Sequence, residues 1–165
     1  MTDSPLLSGG GENSQNGNPN NSMTPTGKKY VNVIPPAAIK DNASFTANVI
    51  DTVGFDWLNL VVQLGATDIA MSTLKLQHSP NANGSSAADI DGLTFAGSLP
   101  GATDDDDMVA FEVNLHGLDR YIVIVATAGD GTAGTFLSAL GILELPSTTP
   151  VTAAAKGLNA VKVRT

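Results

Sequence analysis

Apolar and polar side chains alternate with a period of two through most of this chain, the spacing of half-buried β-strands. In residues 55–64 Leu58, Leu60, Val62 and Leu64 share one face while Trp57 and Val61 share the other. Residues 43–50 set Phe45, Ala47 and Val49 against Ser44, Thr46 and Asn48. Leu74 and Leu76 flank Lys75, and Val109, Phe111, Val113 and Leu115 alternate with Glu112 and Asn114. Two further runs, 120–127 and 135–145, are rich in β-branched residues or broken by glycine, which makes them strands rather than helices. The pattern predicts strands over 30–34, 43–50, 55–64, 73–78, 93–95, 108–115, 120–127 and 135–145, with no amphipathic helix. Turn-forming residues separate them: Pro35 and Pro36, Gly54, Gly65, the stretch 79–86, Pro100 and Gly101, and Gly117. The last two strands form a central hairpin whose Gly-Asp-Gly tip (Gly129 to Gly131) supplies the backbone freedom of a tight turn.

Short strands in this number, with turns between nearly all of them, read as an all-β fold. The expected architecture is an antiparallel β-sandwich, jelly-roll-like by strand count, with an Ig-like order as the other option. Three strands depart from ordinary sandwich patterning. Runs 55–64, 120–127 and 135–145 are apolar on both faces, whereas an outward face is normally polar. Something must cover the second face, either the chain's own tails or a neighbouring subunit. A subunit interface through Trp57, Val61, Tyr121, Val123, Val125 and Leu137 is the expectation.

The ends differ from the body. Residues 1–27 are dominated by Gly, Asn, Ser, Pro and Thr, and hold little large apolar surface beyond Leu6, Leu7 and Met23. Such a segment cannot bury enough to offset the entropy of ordering it and is expected to be an extended arm. Residues 28–147 form the predicted sandwich domain. After Pro146, residues 148–165 form a second, basic arm carrying Lys156, Lys162 and Arg164 and no acid.

Composition narrows the functional classes. The net charge of −8 argues against nucleic acid as a partner. Charged residues make up only 15% of the chain, against about a quarter in an average protein, so much of the surface is small and uncharged. That suits contact with other protein. No cysteine is present, which removes disulfides, thiolate metal sites and cysteine nucleophiles. The first residues carry no cationic segment followed by a long apolar one, so no signal peptide is expected. No apolar run reaches the length of a membrane span, and no membrane partner is expected.

Candidate chemistry is sparse. Gly129 to Gly134 formally matches G-x-G-x-x-G, but the dinucleotide mechanism needs that loop to open a helix within a βαβ unit, and a strand follows instead. Turn chemistry is the better account. Asp104 to Asp107, with Asp89 and Asp91 upstream, offer hard oxygen ligands, yet their spacing matches no EF-hand loop. A solvated loop, or a patch for a basic neighbour such as the C-terminal arm, is the expectation. His78 and His116 have no recognisable nucleophile or carboxylate arrangement, and no G-x-S-x-G elbow exists. No enzyme, cofactor or metal is expected.

Five stretches together resemble small structural proteins encoded among the head genes of tailed bacteriophages and prophages. They are Asp51 to Asp56 (DTVGFD), Gly65 to Met71 (GATDIAM), Leu74 to Gln77 (LKLQ), Arg120 to Gly134 (RYIVIVATAGDGTAG) and Pro150 to Gly157 (PVTAAAKG). The likeness runs from Asp51 to Val163 and leaves the N-terminal arm outside it. It implies a capsid decoration (cement) protein: a β-sandwich, often trimeric, made in the host cytoplasm and seated on the virion surface, with arms reaching onto the major capsid protein. On that reading Leu6, Leu7, Met23, Lys156, Lys162 and Arg164 are the arm residues that would touch the capsid. A head-fibre base, a tail component, or a virion-displayed carbohydrate-binding module are the alternatives.

Overall fold

The computed structural model describes residues 27–37 and 39–162. Eight strands follow in chain order: β1 (Lys29–Ile34), β2 (Ile50–Asp51), β3 (Phe55–Thr67), β4 (Thr73–Ser79), β5 (Ala88–Thr94), β6 (Met108–Asn114), β7 (Tyr121–Thr127) and β8 (Thr135–Pro146). There is no helix among the described residues. The strands form two four-stranded sheets, one ordered β1-β8-β3-β6 (sheet A) and the other β2-β7-β4-β5 (sheet B). Every pairing is antiparallel.

Alternation decides which side chains enter the core. Leu58, Leu60 and Val62 of β3, Phe111 and Val113 of β6, and Leu137, Ala139 and Leu143 of β8 come from sheet A. Ile50, Leu74, Leu76, Ile122 and Ile124 come from sheet B, and all belong to one buried cluster. Gly141 shows how closely the layers approach. A Cβ there would meet Val33 of β1 and Leu58 of β3, and also Ile50 from the opposite sheet. Inward-facing glycine therefore makes room for a large residue across the core.

The expected central hairpin of 120–127 and 135–145 does not form: β7 pairs with β2 and β4 in sheet B and β8 with β1 and β3 in sheet A, so the glycine-rich tip crosses from one sheet to the other. Two strands also differ in extent from the sequence pattern. β5 is longer than the predicted 93–95, because Asp89, Asp91 and Gly92 hide it behind turn-like composition. It also slips: Lys75 pairs Thr94 and Gln77 pairs Asp89, so Ile90 to Leu93 stand opposite Leu76 alone. The predicted strand 43–50 reduces to Ile50–Asp51 plus a single bridge from Ser44 to Thr127. Its middle crosses between the sheets instead. Phe45 N donates to Ala126 O of β7 at 2.9 Å, while Asn48 N donates to Val33 O of β1 at 2.7 Å. Val33 is the extra residue where the β1–β8 register shifts, so a bulge supplies the carbonyl that receives Asn48. Asn48 Nδ2 adds a bond to Asn32 O at 2.9 Å.

The chain end also returns to β1. Lys156 N donates to Thr152 O at 3.0 Å, and the Lys156 carbonyl accepts from Tyr30 N at 2.8 Å. Gly157 has φ +72 and lies so close that a Cβ would collide with Tyr30 O. At the other terminus, Gly27 packs on the Pro146 ring. The β1/β2 flank is thus closed by the chain itself. At the β5/β6 flank the 95–107 connection sets Phe95 on Phe111 with ring centres 5.0 Å apart, but among the described residues no backbone hydrogen bond closes the outer edge of β6.

Candidate interaction surface

Outward side chains of sheet A lie in rows fixed by the register. Val61 stands between Leu140 of β8 and Ala110 of β6, Asn59 between Ile142 and Glu112, Gln63 between Ser138 and Met108. Leu140 is 40% exposed and Met108 67%. Val61 and Ile142 are half-buried. The centre of this outer face is therefore an apolar stripe running across three strands.

Its polar border is tied down internally. Trp57 Nε1 donates to Asn59 Oδ1 at 3.4 Å, and Asn59 Nδ2 donates to Glu144 Oε2 at 2.8 Å. Lys28 forms an ion pair with Glu144, and the hydrogen bond with the charge of that partner holds the ammonium above its usual range.

Sheet B turns Tyr121, Val123 and Val125 outward, each half-buried. Part of their cover comes from the same chain. Arg120 lies over the Tyr121 ring, 5.1 Å from its centre. Its guanidinium binds Asp51 through two bonds, at 2.8 and 2.7 Å, which lower the Asp51 carboxyl and raise Arg120. The 80–87 loop brings Gly84 against Val123 and Val49. Beside them Lys75 and Gln77 both hold Asp89, at 2.8 and 2.7 Å, keeping that carboxyl below its ordinary range.

The side chains predicted as one interface do not come together. Trp57 and Val61 face outward on sheet A, whereas Tyr121, Val123 and Val125 face outward on sheet B. Leu137 is not an interface residue in the chain as folded: it is 1% exposed and belongs to the core. Its place on the surface is taken by Leu140 and Ile142, of opposite parity on β8. Lys156 lies beside β1, and Lys162 is exposed. Leu6, Leu7, Met23 and Arg164 lie outside the described residues.

No family model matches this chain, and no curated protein matches it. The surface must be read from its own chemistry.

The acidic loops gather at one end of the sheets, where β1–β2, β3–β4, β5–β6 and β7–β8 connect. Several of their carboxylates serve backbone donors there. Asp105 Oδ1 accepts from Thr67 N at 2.8 Å, at the register shift of β3, and Asp104 Oδ2 accepts from Gly101 N at 2.8 Å. In the glycine-rich tip, Asp68 Oδ2 accepts from Thr132 N and Ala133 N at 2.5 and 2.6 Å. Those donors, Ala133 first, hold the Asp68 carboxyl below its usual range. Asp41 Oδ1 accepts from Gly131 N at 3.0 Å. The amides that would cradle a phosphate in a nucleotide loop thus hold the protein's own carboxylates. Among the described residues no three His, Asp or Glu side chains are grouped to hold a metal ion.

His78 Nδ1 lies 2.9 Å from Asp119 Oδ2 and 3.2 Å from Asp119 N, while His116 is 3.9 Å from Asp56. Neither pair has a nucleophile assigned to it. A cleft of ≈ 400 Å³ opens where β5 slips, floored by Leu74, Leu76 and Leu93 and rimmed by Lys75, Asp89 and Asp91. Sequence reasoning missed Leu140, Ile142 and Met108 as surface residues. The signal that could have found the first two is the polar pair Ser138 and Glu144, which share the parity of Leu140 and Ile142 on β8.

Proposed function

We propose that this chain is a non-enzymatic virion structural protein that decorates a phage capsid and stabilises it by bridging neighbouring major capsid subunits. The observation that carries the reading is the outer face of sheet A. Its exposed Leu140 and Met108 with half-buried Val61 and Ile142 form a protein-facing stripe on a chain of low charge content. The resemblance to phage head proteins supplies the partner. The architecture we assign is a β-sandwich of jelly-roll type with arms at both ends. Two interleaved Greek keys wind eight strands into the order β1-β8-β3-β6 opposite β2-β7-β4-β5. Each contact is made only in the assembled shell, so it stabilises that shell by mass action, multiplied over many copies. Self-association, which the resemblance implies as a trimer, would present several copies at once.

Cryo-microscopy of the native particle is the direct test. Density for the sandwich on the outer capsid lattice is the expected result, and a location in the tail or at a fibre base overturns it. Removing residues 1–26 is expected to weaken binding to bare shells while leaving the β-sheet circular dichroism unchanged. A second reading, a glycan-binding module, is favoured by one observation: Trp57, Asn59 and Glu144 adjoin on a single face. Glycan-array binding that disappears in Trp57→Ala would support it over capsid decoration.

A further inference from the structure

We infer that the free edge of β6 is a pairing site for a second copy of this chain, joined antiparallel about a twofold axis at Phe111. The inference concerns a second copy and does not depend on the capsid reading.

Exposed strand edges invite pairing, and proteins ordinarily blunt them with bulges, charges or cover. Three of the four sheet edges here are blunted. β1 is occupied by Asn48 and by the carbonyl of Lys156. β2 is two residues long. β5 slips against β4, places Gly92 at φ +77 and carries Asp89 and Asp91. β6 carries one of these devices, the charge of Glu112, and lacks the others: it has seven residues, no proline, no lysine and an unbroken register with β3.

The backbone of β6 is sorted by its pairing with β3. Leu64 N donates to Asp107 O at 2.9 Å, and Leu115 N donates to Asp56 O at 3.0 Å. Stepping by two from those bonded pairs, Val109, Phe111 and Val113 turn their N–H and C=O groups to β3. Met108, Ala110, Glu112 and Asn114 turn theirs to the open side. Among the described residues no backbone group meets them there.

A second β6 fits that edge over its whole length. With Phe111 on the axis, Ala110 faces Glu112 of the partner and Met108 faces Asn114 of the partner, so no like charges oppose. On the inward side Phe111 and Val113 are already buried within their own chain, Phe111 against Phe95 with ring centres 5.0 Å apart, so the pairing rests on the backbone groups and the outward row. A register centred on Glu112 would place two carboxylates opposite each other and leave part of the strand unpaired.

The absence of cysteine gives a clean test. In an equal mixture of Ala110→Cys and Glu112→Cys chains, oxidation is expected to yield the mixed disulfide in preference to either homodimer. Facing residues in such a bonded pair sit about 5.5 Å apart at Cα, within disulfide reach. Like positions across this axis lie roughly 8 Å apart, beyond it. The full chain is expected to sediment as a dimer with slow-exchanging Ala110 and Glu112 amides, and Ala110→Pro to sediment as a folded monomer. The proposal is overturned if homodisulfides form as fast as the mixed one. It is equally overturned if those amides exchange freely in a trimer, or stay protected in a monomer, where the chain's own residues would cover the edge.

Discussion

Gly129 and Gly131 sit in the same tip, yet they are constrained by different neighbours. A Cβ on Gly129 would run into the carbonyl of Ala70, a fixed backbone atom, whereas one on Gly131 would meet the carboxylate of Asp68. Backbone cannot step aside cheaply, but a carboxylate can swing at the expense of its hydrogen bonds. Gly129→Ala is therefore expected to destabilise by about 1–3 kcal/mol, the usual cost of overpacking, and Gly131→Ala by less; urea titration of both variants checks the order. Asp68 adds a pH signature. Its folded carboxyl titrates below the unfolded value of about 3.9, so its contribution is present above that value and is lost as pH falls through the folded one. Thermal melts of Asp68→Asn are expected to lose less stability than wild type on acidification below pH ~4; equal losses would show that the carboxylate does not brace the loop. The turn character of G-x-G-x-x-G was legible from the strand that follows it. The acceptor was not, because Asp68 lies on another loop and only the fold brings it to Thr132 and Ala133.

Among the elements, β8 separates what a period of two can tell from what it cannot. Leu137 and Leu143 fall on one parity, Leu140 and Ile142 on the other, and both faces look apolar until Ser138 and Glu144 are counted on the second. Those two polar residues mark the outer face, and Gly141 sits on the inner one, where a Cβ would lie nearest Val33. Strands with polar partners between their apolar positions, β4 and β6, were legible in extent to within a residue and in face, whereas β3 runs on to Thr67 through Gly65, which reads as its end. β5 was obscured because a slipped edge strand needs no alternation, and residues 43–49 because an alternating segment can cross between sheets instead of joining one. The parity of β8 predicts a sharp contrast. Leu137→Ala is expected to cost about 2–5 kcal/mol, as deletion from a closed core does. Leu140→Ala, at 40% exposure, is expected to stay under about 1 kcal/mol. Denaturant midpoints at constant slope would measure both, and equal losses would place the parity of β8 in error.

At the scale of the whole molecule, charge is distributed unevenly between the two ends of the sheets. The loops at one end hold Asp41, Asp68, Asp104 to Asp107 and Asp130, with Lys40 as their one base among the described residues. Attraction and repulsion then compete in their response to salt. The ion pairs Arg120–Asp51, Lys75–Asp89 and Lys28–Glu144 are at least partly exposed, and pairs of that kind contribute about 0–1 kcal/mol each. Two like charges roughly 7 Å apart in water repel by about 0.6 kcal/mol, and a crowded acidic end contains several such pairs. With a net charge of −8, repulsion outweighs the three attractions. Raising ionic strength from about 10 mM to about 150 mM shortens the screening length from about 30 to about 8 Å, and the melting temperature is expected to rise. Asp106 is the residue that isolates the cause: it is exposed, at φ +66, a conformation asparagine also tolerates. Asp106→Asn is expected to raise the low-salt melting temperature and flatten its salt dependence. Asp105→Asn removes the same charge but weakens the acceptor of Thr67 N, so it is expected to gain less. If both variants melt alike at every salt concentration, the acidic end stores no repulsion that the fold has to overcome.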